Sequence, residues 1–580
     1  GGGGAVTLQL GPYAGSAGAH WWGLQAAALR RPTEAAELRS STLLRPAQAP
    51  GGRESHAPRL VALELKGTGG AGGAAGRPRR DRALLQAAAG GARGRRQLPR
   101  FVLQERGGRR LPGAGPREPR GAGGRGQRWS SGTPLFPSPI PGPAPAPSPL
   151  AAAQEVPSGS PVQLWSDHLN VQLHPKSLYV IRQYMHDGDC GCLEAFPQGE
   201  GLLQDPACME ELEDRLHFFV EECDYLQGFQ VLCDLHTGFS GVGAKVTELL
   251  CDEYSGKGIL SWGLTPAVSS VADSQRNAYR LLNTALGIVH LSTHSSLFCP
   301  LSLSGSLGLK PRPPVTFPYI SYDASLSYHS SAILAAALDT LTVPYRLSSS
   351  QGSILHLAEA LNFSGRKVAA AWVSVPFPAL HGSSLPDALC THPDVPWKPL
   401  ASCRERKGSS CFAQSVVLRG VCKERHSSSS PGRQRPSPLH ACESSEHVLQ
   451  HYLHAVFPGA FSTCHVLEQP CYTPAPYPQF FSPCLSRQGF LLDKPPTSSP
   501  AAIESIPVLA ALQSAPVLHT LLYGLYKDLQ KLNTRRCASF FSAGVEHDDF
   551  QEALHKLRTL SQCYETELEA DESEDEADSD

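Results

Sequence analysis

The stretch from Glu211 to Tyr254, ELEDRLHFFVEECDYLQGFQVLCDLHTGFSGVGAKVTELLCDEY, limits what this chain can fold into more than any other. Ahead of it Asp205 has the chemistry of a helix N-cap and Pro206 suits the first helical position. Met209, Leu212, Leu216, Phe219, Cys223 and Leu226 then fall three or four apart as one apolar stripe. Gly228 is expected to end that helix, and Phe229 to Leu235 reads as a covered central strand. Gly238, Ser240, Gly241 and Gly243 follow, leading into Val246, Leu249 and Leu250 on one face of a second helix. A glycine-rich turn between a strand and a helix start turns backbone amides and the positive end of the helix dipole toward an anion, usually phosphate. The expectation is an α/β fold: a nucleotide-binding-type core built on a parallel sheet.

Two known motifs come close to this turn and miss. A phosphate loop of the Walker type needs Gly-Lys followed by Ser or Thr, whereas Ala244 precedes Lys245 here and Val246 follows it. A nucleophile elbow needs Gly-x-Ser-x-Gly, and Gly238-Phe239-Ser240-Gly241-Val242 lacks the last glycine. A serine hydrolase at Ser240 stays open as a minor alternative. At the start of the chain Val6 to Leu10 alternates like a strand, and Gly11, Gly15 and Gly18 carry the backbone into a helix through Trp22. Gly11 thereby joins Gly238, Ser240, Gly241 and Gly243 as a candidate phosphate-binding residue.

Much of the 580-residue chain is not domain-like. Its 54 glycines and 50 prolines concentrate outside the stretches above. Residues 68–158 are Gly, Ala, Arg and Pro followed by Pro-Ser-Pro repeats, too poor in apolar surface to offset chain entropy, and are expected to form a disordered insert. Arginine crowds positions 77 to 128 without interleaved aromatic side chains, so a solvated linker is favoured and no nucleic-acid partner is expected. The tail at 565–580 is nearly all acid. Seventeen cysteines lack the spacing of a disulfide framework or a zinc site, which points to reduced core thiols in the cytosol and to no bound metal. No run of about 18 apolar residues exists, so a spanning helix is not expected. The first residue is Gly rather than Met, so a missing start is expected.

Between these segments the reading gives residues 1–67 as an N-terminal strand–helix segment, 159–421 as the main α/β core, 422–445 as a Ser/Pro-rich loop and 446–564 as a C-terminal helical segment. Within the core, Gly258 to Trp262 reads as a strand and Asn277 to His290 as a helix. A second α/β lobe begins near Ile333. Ile503 to Leu532 and Phe550 to Tyr564 read as closing helices.

Cys223-Asp224-Tyr225-Leu226-Gln227-Gly228-Phe229-Gln230 resembles the segment that leads into the glycine-rich signature loop of the tubulin/FtsZ superfamily. Gly11, Gly18, Ala19 and Trp22 keep register with the first tubulin strand and helix, while Pro12 and Tyr13 stand where tubulin has a nucleotide-contacting Gln-Cys pair. Arg59 to Lys66 resembles the strand whose acidic end organises magnesium, with Glu64 at the Asp place and Lys66 at the Glu place. Asn283-Thr284-Ala285-Leu286 is similar to tubulin's Asn-Ala-Thr-Leu, but Ser302 occupies the place of the guanine-reading Asn and cannot make a two-point amide contact. Asp339 is the one remnant of the catalytic loop, and a helix-surface carboxylate is the simpler reading of it.

Further collinear matches identify the chain with the Misato family: Glu211 to Phe218, Trp165-Ser166-Asp167, Arg280 to Thr284, Thr342 to Leu347, Glu504 to Val508 and Gly544 to Asp549. That resemblance implies a cytoplasmic, tubulin-like scaffold or adaptor. It would associate peripherally with the cytosolic face of the mitochondrial outer membrane and act in mitochondrial distribution, morphology and fusion with fusion or cytoskeletal proteins as partners. No enzymatic activity and no resident cofactor are expected. The alternative is an active, GTP-binding, polymerising GTPase, and self-association is left open.

Overall fold

Gly4–Leu10 is buried at all seven positions, and its side chains divide between two cores: Val6, Leu8 and Leu10 enter one, Ala5 the other. This strand, β1, is central in a six-stranded sheet. The others are β2 (Leu60–Lys66), β3 (Leu178–Met185), β4 (Leu226–Asp234), β5 (Gly258–Thr265) and β6 (Leu297–Ser302), in the order β3-β2-β1-β4-β5-β6. Every pairing is parallel. Parallel strands need crossovers that cover both faces, which is why β4, β5 and β6 are buried along their whole length. The computed structural model describes residues 3–31, 36–48, 54–66, 164–185, 192–267, 274–310, 312–403, 410–421, 437–492 and 502–566.

The crossovers are helices α1 (Pro12–Leu29), α2 (Phe196–Gln204), α3 (Pro206–Glu221), α4 (Phe239–Glu253) and α5 (Ser274–His294). Helix α6 (Ser327–Leu341) packs against α1 and leads to a second sheet. That sheet comprises β7 (Ala370–Ser374), β8 (Lys398–Pro399), β9 (Ala413–Arg419), β10 (Phe461–Leu467) and β11 (Val508–Ser514), ordered β8-β7-β11-β9-β10. Only β9 and β10 run parallel. Helices α7 (Ser445–Val456), α8 (Val517–Gln530) and α9 (His547–Gln562) share one core with α3, α4 and α5, while α1 and α6 lie in the other.

Two expectations are corrected. The helix of the diagnostic stretch stops at Glu221 instead of reaching Gly228; Asp205 does cap it, accepting from the Ala207 amide at 3.2 Å. Leu226 already belongs to β4, and Gly228 sits inside that strand at φ +155, between Ala5 and Gly258. A Cβ there would overlap the Gly258 carbonyl oxygen, so the glycine serves strand approach and not helix termination. The run from Ile503 is likewise not one helix. Val508–Ser514 is a fully buried strand at the centre of the second sheet, and helix α8 starts only after Pro516. A short, mostly apolar run carries no period that separates strand from helix, and sheet pairing decided it. Together with β10, this makes the 446–564 segment mixed rather than helical.

The 68–158 insert lies outside the described residues, as do 422–436 and almost all of the acidic tail. Among the described residues the cysteines are free thiols, no group of three or more His, Cys, Asp or Glu is placed to hold a metal ion, and no helix is long and apolar enough to cross a membrane.

Candidate functional site

Strands β1 and β4 are neighbours, and the turns that follow their carboxyl ends bring Gly11 and Gly238 to the same end of the sheet, where ligands of parallel α/β folds bind. Gly11 has φ +106 and is the N-cap residue of α1. It offers no side chain to the helix, and the first turn of α1 contains no acidic residue. The orphan amides of that turn are nevertheless satisfied. Asp234, the last residue of β4, accepts from the Tyr13 amide at 3.0 Å through Oδ2 and from the Ala14 amide at 2.7 Å through Oδ1. A Cβ on residue 11 would lie 2.5 Å from the same carboxylate, so glycine is required for Asp234 to sit there. The hydrogen-bond acceptor facing the positive end of α1 is therefore part of the chain.

Asp234 is 0% exposed. Burial pushes its carboxyl well above the usual range, the Tyr13 and Ala14 amides pull it back, and the neighbouring Glu64 adds to the rise. Glu64, in β2, is 2% exposed. Burial lifts it to about 7, against hydrogen bonds to Oε1 from the Leu65 amide at 3.0 Å and to Oε2 from Trp165 Nε1 at 2.9 Å. Trp165 opens a short helix (Trp165–His168) pressed on α1, and a Cβ at Gly15 would come 2.9 Å from its indole. The side chain of Lys66 is outside the described residues.

The second glycine cluster is not an open loop. Gly238 is the N-cap of α4, and Ser240, Gly241 and Gly243 lie inside its first turns. The Gly238 amide donates to the Leu193 carbonyl at 3.1 Å, and a Cβ at Gly241 would overlap the Phe196 carbonyl oxygen. In the other direction a Cβ at Gly199 would overlap the Gly238 carbonyl oxygen, and one at Gly243 would lie 2.5 Å from Cys233 Sγ. Gly199 and Gly241 let the backbones of α2 and α4 touch, and Gly243 lets α4 lie close on β4. Asn283 of α5 fastens the covering segment: its Oδ1 accepts from the Phe196 amide at 2.7 Å and its Nδ2 donates to the Glu194 carbonyl at 2.6 Å and the His236 carbonyl at 3.3 Å. Ser240 is buried, its Oγ donating to the Thr237 carbonyl at 2.8 Å. A nucleophilic serine must be reachable and hydrogen-bonded to a base, and Ser240 is neither.

Ser302, at the end of β6, is also engaged internally, donating to the Thr265 carbonyl at 2.8 Å and accepting from the Ser304 amide at 3.1 Å. Asp339 corrects the surface reading outright. It is buried in α6, paired with Arg346 at 3.1 Å and with Arg419, and it also accepts from Gln25. Burial pushes its carboxyl up, but Arg419 and Arg346 together outweigh that and hold it below the usual range. Asp234 and the Arg346–Asp339–Arg419 cluster were both missed from sequence. The available signals were a carboxylate closing a largely apolar strand just before a glycine turn, and an arginine seven residues after Asp339.

A parallel sheet of this order, two glycine-started helices at its carboxyl end and a second sheet joined through a buried helix define a tubulin-like α/β protein. Residues 154–347 match the model of the Tubulin domain, and residues 4–94 match that of the Misato Segment II tubulin-like domain. The chain is 50% identical over 573 residues to protein misato homolog 1 of Bos taurus, covering 97% of each. It is 50% identical over 580 residues to that of Homo sapiens, covering 96% of this chain and 97% of the relative. Against protein misato of Drosophila melanogaster the identity is 28% over 581 residues, covering 96% and 98%. The chain belongs to the misato family.

Proposed function

We propose that this protein is a tubulin-like scaffold or adaptor that neither holds nor hydrolyses GTP at the carboxyl end of its first sheet. The observation that carries the reading is Asp234, which takes both free amides at the start of α1. The Phe196 carbonyl against Gly241 supports it, since α2 covers the start of α4 where a phosphate would rest. In this reading the residues present do not fit a nucleoside triphosphate with magnesium: Asp234 and Glu64, the acidic groups at this end of β4 and β2, are buried and held toward their neutral forms. Family membership is the support for the cellular part of the proposal. The protein acts at the cytosolic face of the mitochondrial outer membrane, bound peripherally, in mitochondrial distribution, morphology and fusion, through protein partners of the fusion or cytoskeletal machinery.

Two measurements test this. Purified full-length protein titrated with a fluorescent GTP analogue and magnesium is expected to show no saturable binding and no phosphate release; turnover that disappears in Gly241→Asp would establish the rival reading of an active GTPase. Fractionated mitochondria are expected to release the protein in alkaline carbonate and to expose it to added protease. A protein that stays wholly in the soluble fraction would sink the membrane assignment.

A further inference from the structure

We propose that the groove between α8 and α9 is the docking site of the chain's own acidic tail, residues 567–580. The groove encloses about 550 Å³, with Leu529, Phe550 and Leu554 as its buried floor. One wall is a stripe of α9: His547, Gln551, His555, Arg558 and Gln562 recur three or four residues apart, and all are exposed. No acidic side chain lines the groove. Helices α8 and α9 run antiparallel, with the His519 ring 3.0 Å from the Ser561 carbonyl and the Arg558 guanidinium 6.0 Å from the Tyr526 ring. Lys531 and Arg535, exposed beside the lining residues Gln530, Leu532 and Thr534, therefore stand toward the His547 end. Positive charge is available from one end of the groove to the other.

The occupant is set by where the chain leaves the fold. Gln562 both ends α9 and lines the groove. Two residues on, Tyr564 is buried, its hydroxyl accepting from the Val368 amide at 2.8 Å and donating to the Val368 carbonyl at 2.6 Å, which fixes the root of the tail. Most of residues 567–580 are Asp or Glu, and none is Lys or Arg. Leu568, near the root, suits the apolar floor. The stripe from Gln562 back to His547 is roughly 23 Å long at the helical rise, and fourteen extended residues reach about 46 Å, so the tail spans the groove with length to spare. Exposed ion pairs are individually weak, but a tether of this length holds the tail at roughly millimolar effective concentration beside its site.

Carbodiimide, which joins carboxylates to amines in direct contact, tests this in the full chain. Lys531 stands beside the groove, whereas Lys367 adjoins Val368 at the root of the tail and lies outside the groove. In species of one chain's mass, links from residues 567–580 to Lys531 are expected to exceed those to Lys367 several-fold at low salt. The excess is expected to disappear in about 0.5 M NaCl and in Arg558→Glu. Links that favour Lys367, or a ratio that salt leaves unchanged, overturn the proposal, and the salt comparison needs no variant to fold. Links to Lys531 found only in species of twice the chain's mass also overturn it, assigning the groove to the tail of a second copy.

Discussion

Replacing Asp234 with alanine removes the side chain that serves as the acceptor at the start of α1. The substitution removes the acceptor from the Tyr13 and Ala14 amides, both buried in the native protein. Losing an N-cap acceptor costs about 1 kcal/mol, and leaving a second buried amide unpaired adds roughly 1–3 kcal/mol. Against this stands the relief of a buried charge. Because the folded pKa of Asp234 is raised above its ordinary value of 3.8, ionisation in the fold is penalised. The penalty is absent below that value, grows as pH climbs toward the folded pKa and is constant beyond it. The expected loss is about 2–4 kcal/mol below pH 4, where the penalty is nearly absent, shrinking as pH rises to 8. Urea denaturation followed by tryptophan fluorescence at each pH measures both quantities. An alanine variant within about 0.5 kcal/mol of the parent at pH 4, or a gap that widens with pH, would refute the reasoning.

Glu64→Gln is expected to stabilise. With a folded pKa of about 7 against an ordinary 4.5, the ionised side chain costs on the order of 3 kcal/mol above pH 7 and nothing below 4.5. Less about 1 kcal/mol for a weakened hydrogen bond, the gain at pH 8 is roughly 2 kcal/mol and vanishes by pH 4.5 in the same denaturation assay. Gly241→Ala forces α2 and α4 apart and is expected to lower thermal stability by several degrees in scanning fluorimetry. Gly201→Ala, in α2 with nothing within 4 Å of the added carbon, is expected to stabilise by about 0.5–1 kcal/mol. Asp339→Asn leaves two buried guanidiniums short of a counter-charge and is expected to cost about 3–5 kcal/mol at neutral pH. Since the Asp339 carboxyl is held low, that contribution is present above pH 3.8 and fades as pH falls through the folded value, so the parent and variant converge in acid.

The parts of this fold that were legible in the sequence are those where local chemistry and tertiary demand agree. Asp205-Pro206 starts α3 as its residues require, and the amphipathic stripe Leu212, Leu216 and Phe219 is the face it buries. The failures share one cause. Gly228 and Val508 to Ser514 took their conformations from the strands beside them, and no residue within several positions of either states which neighbour that will be. Asp339 has the same history: Arg346 lies seven residues on, past the end of α6, but Arg419 arrives from the second sheet, and only the pair makes burial of the carboxylate tolerable.

The glycines of the candidate site were legible as residues and ambiguous as a site, for a reason that the geometry makes explicit. A glycine before or inside the first turn of a helix is demanded equally by a phosphate that must approach the backbone and by another backbone that must do so. Gly238 and Gly241 meet the second demand fully, since the Leu193 to Phe196 segment and α2 occupy the space where side chains would stand. Gly11 meets a third, the approach of a carboxylate from the neighbouring strand. Packing alone therefore accounts for Gly11, Gly238, Gly241 and Gly243, and their presence in the sequence carries no information about a ligand. What separates the two demands is the accepting capacity of the residue that ends β4: a small side chain without acceptors leaves the α1 amides to a visiting anion, whereas Asp234 satisfies them from within.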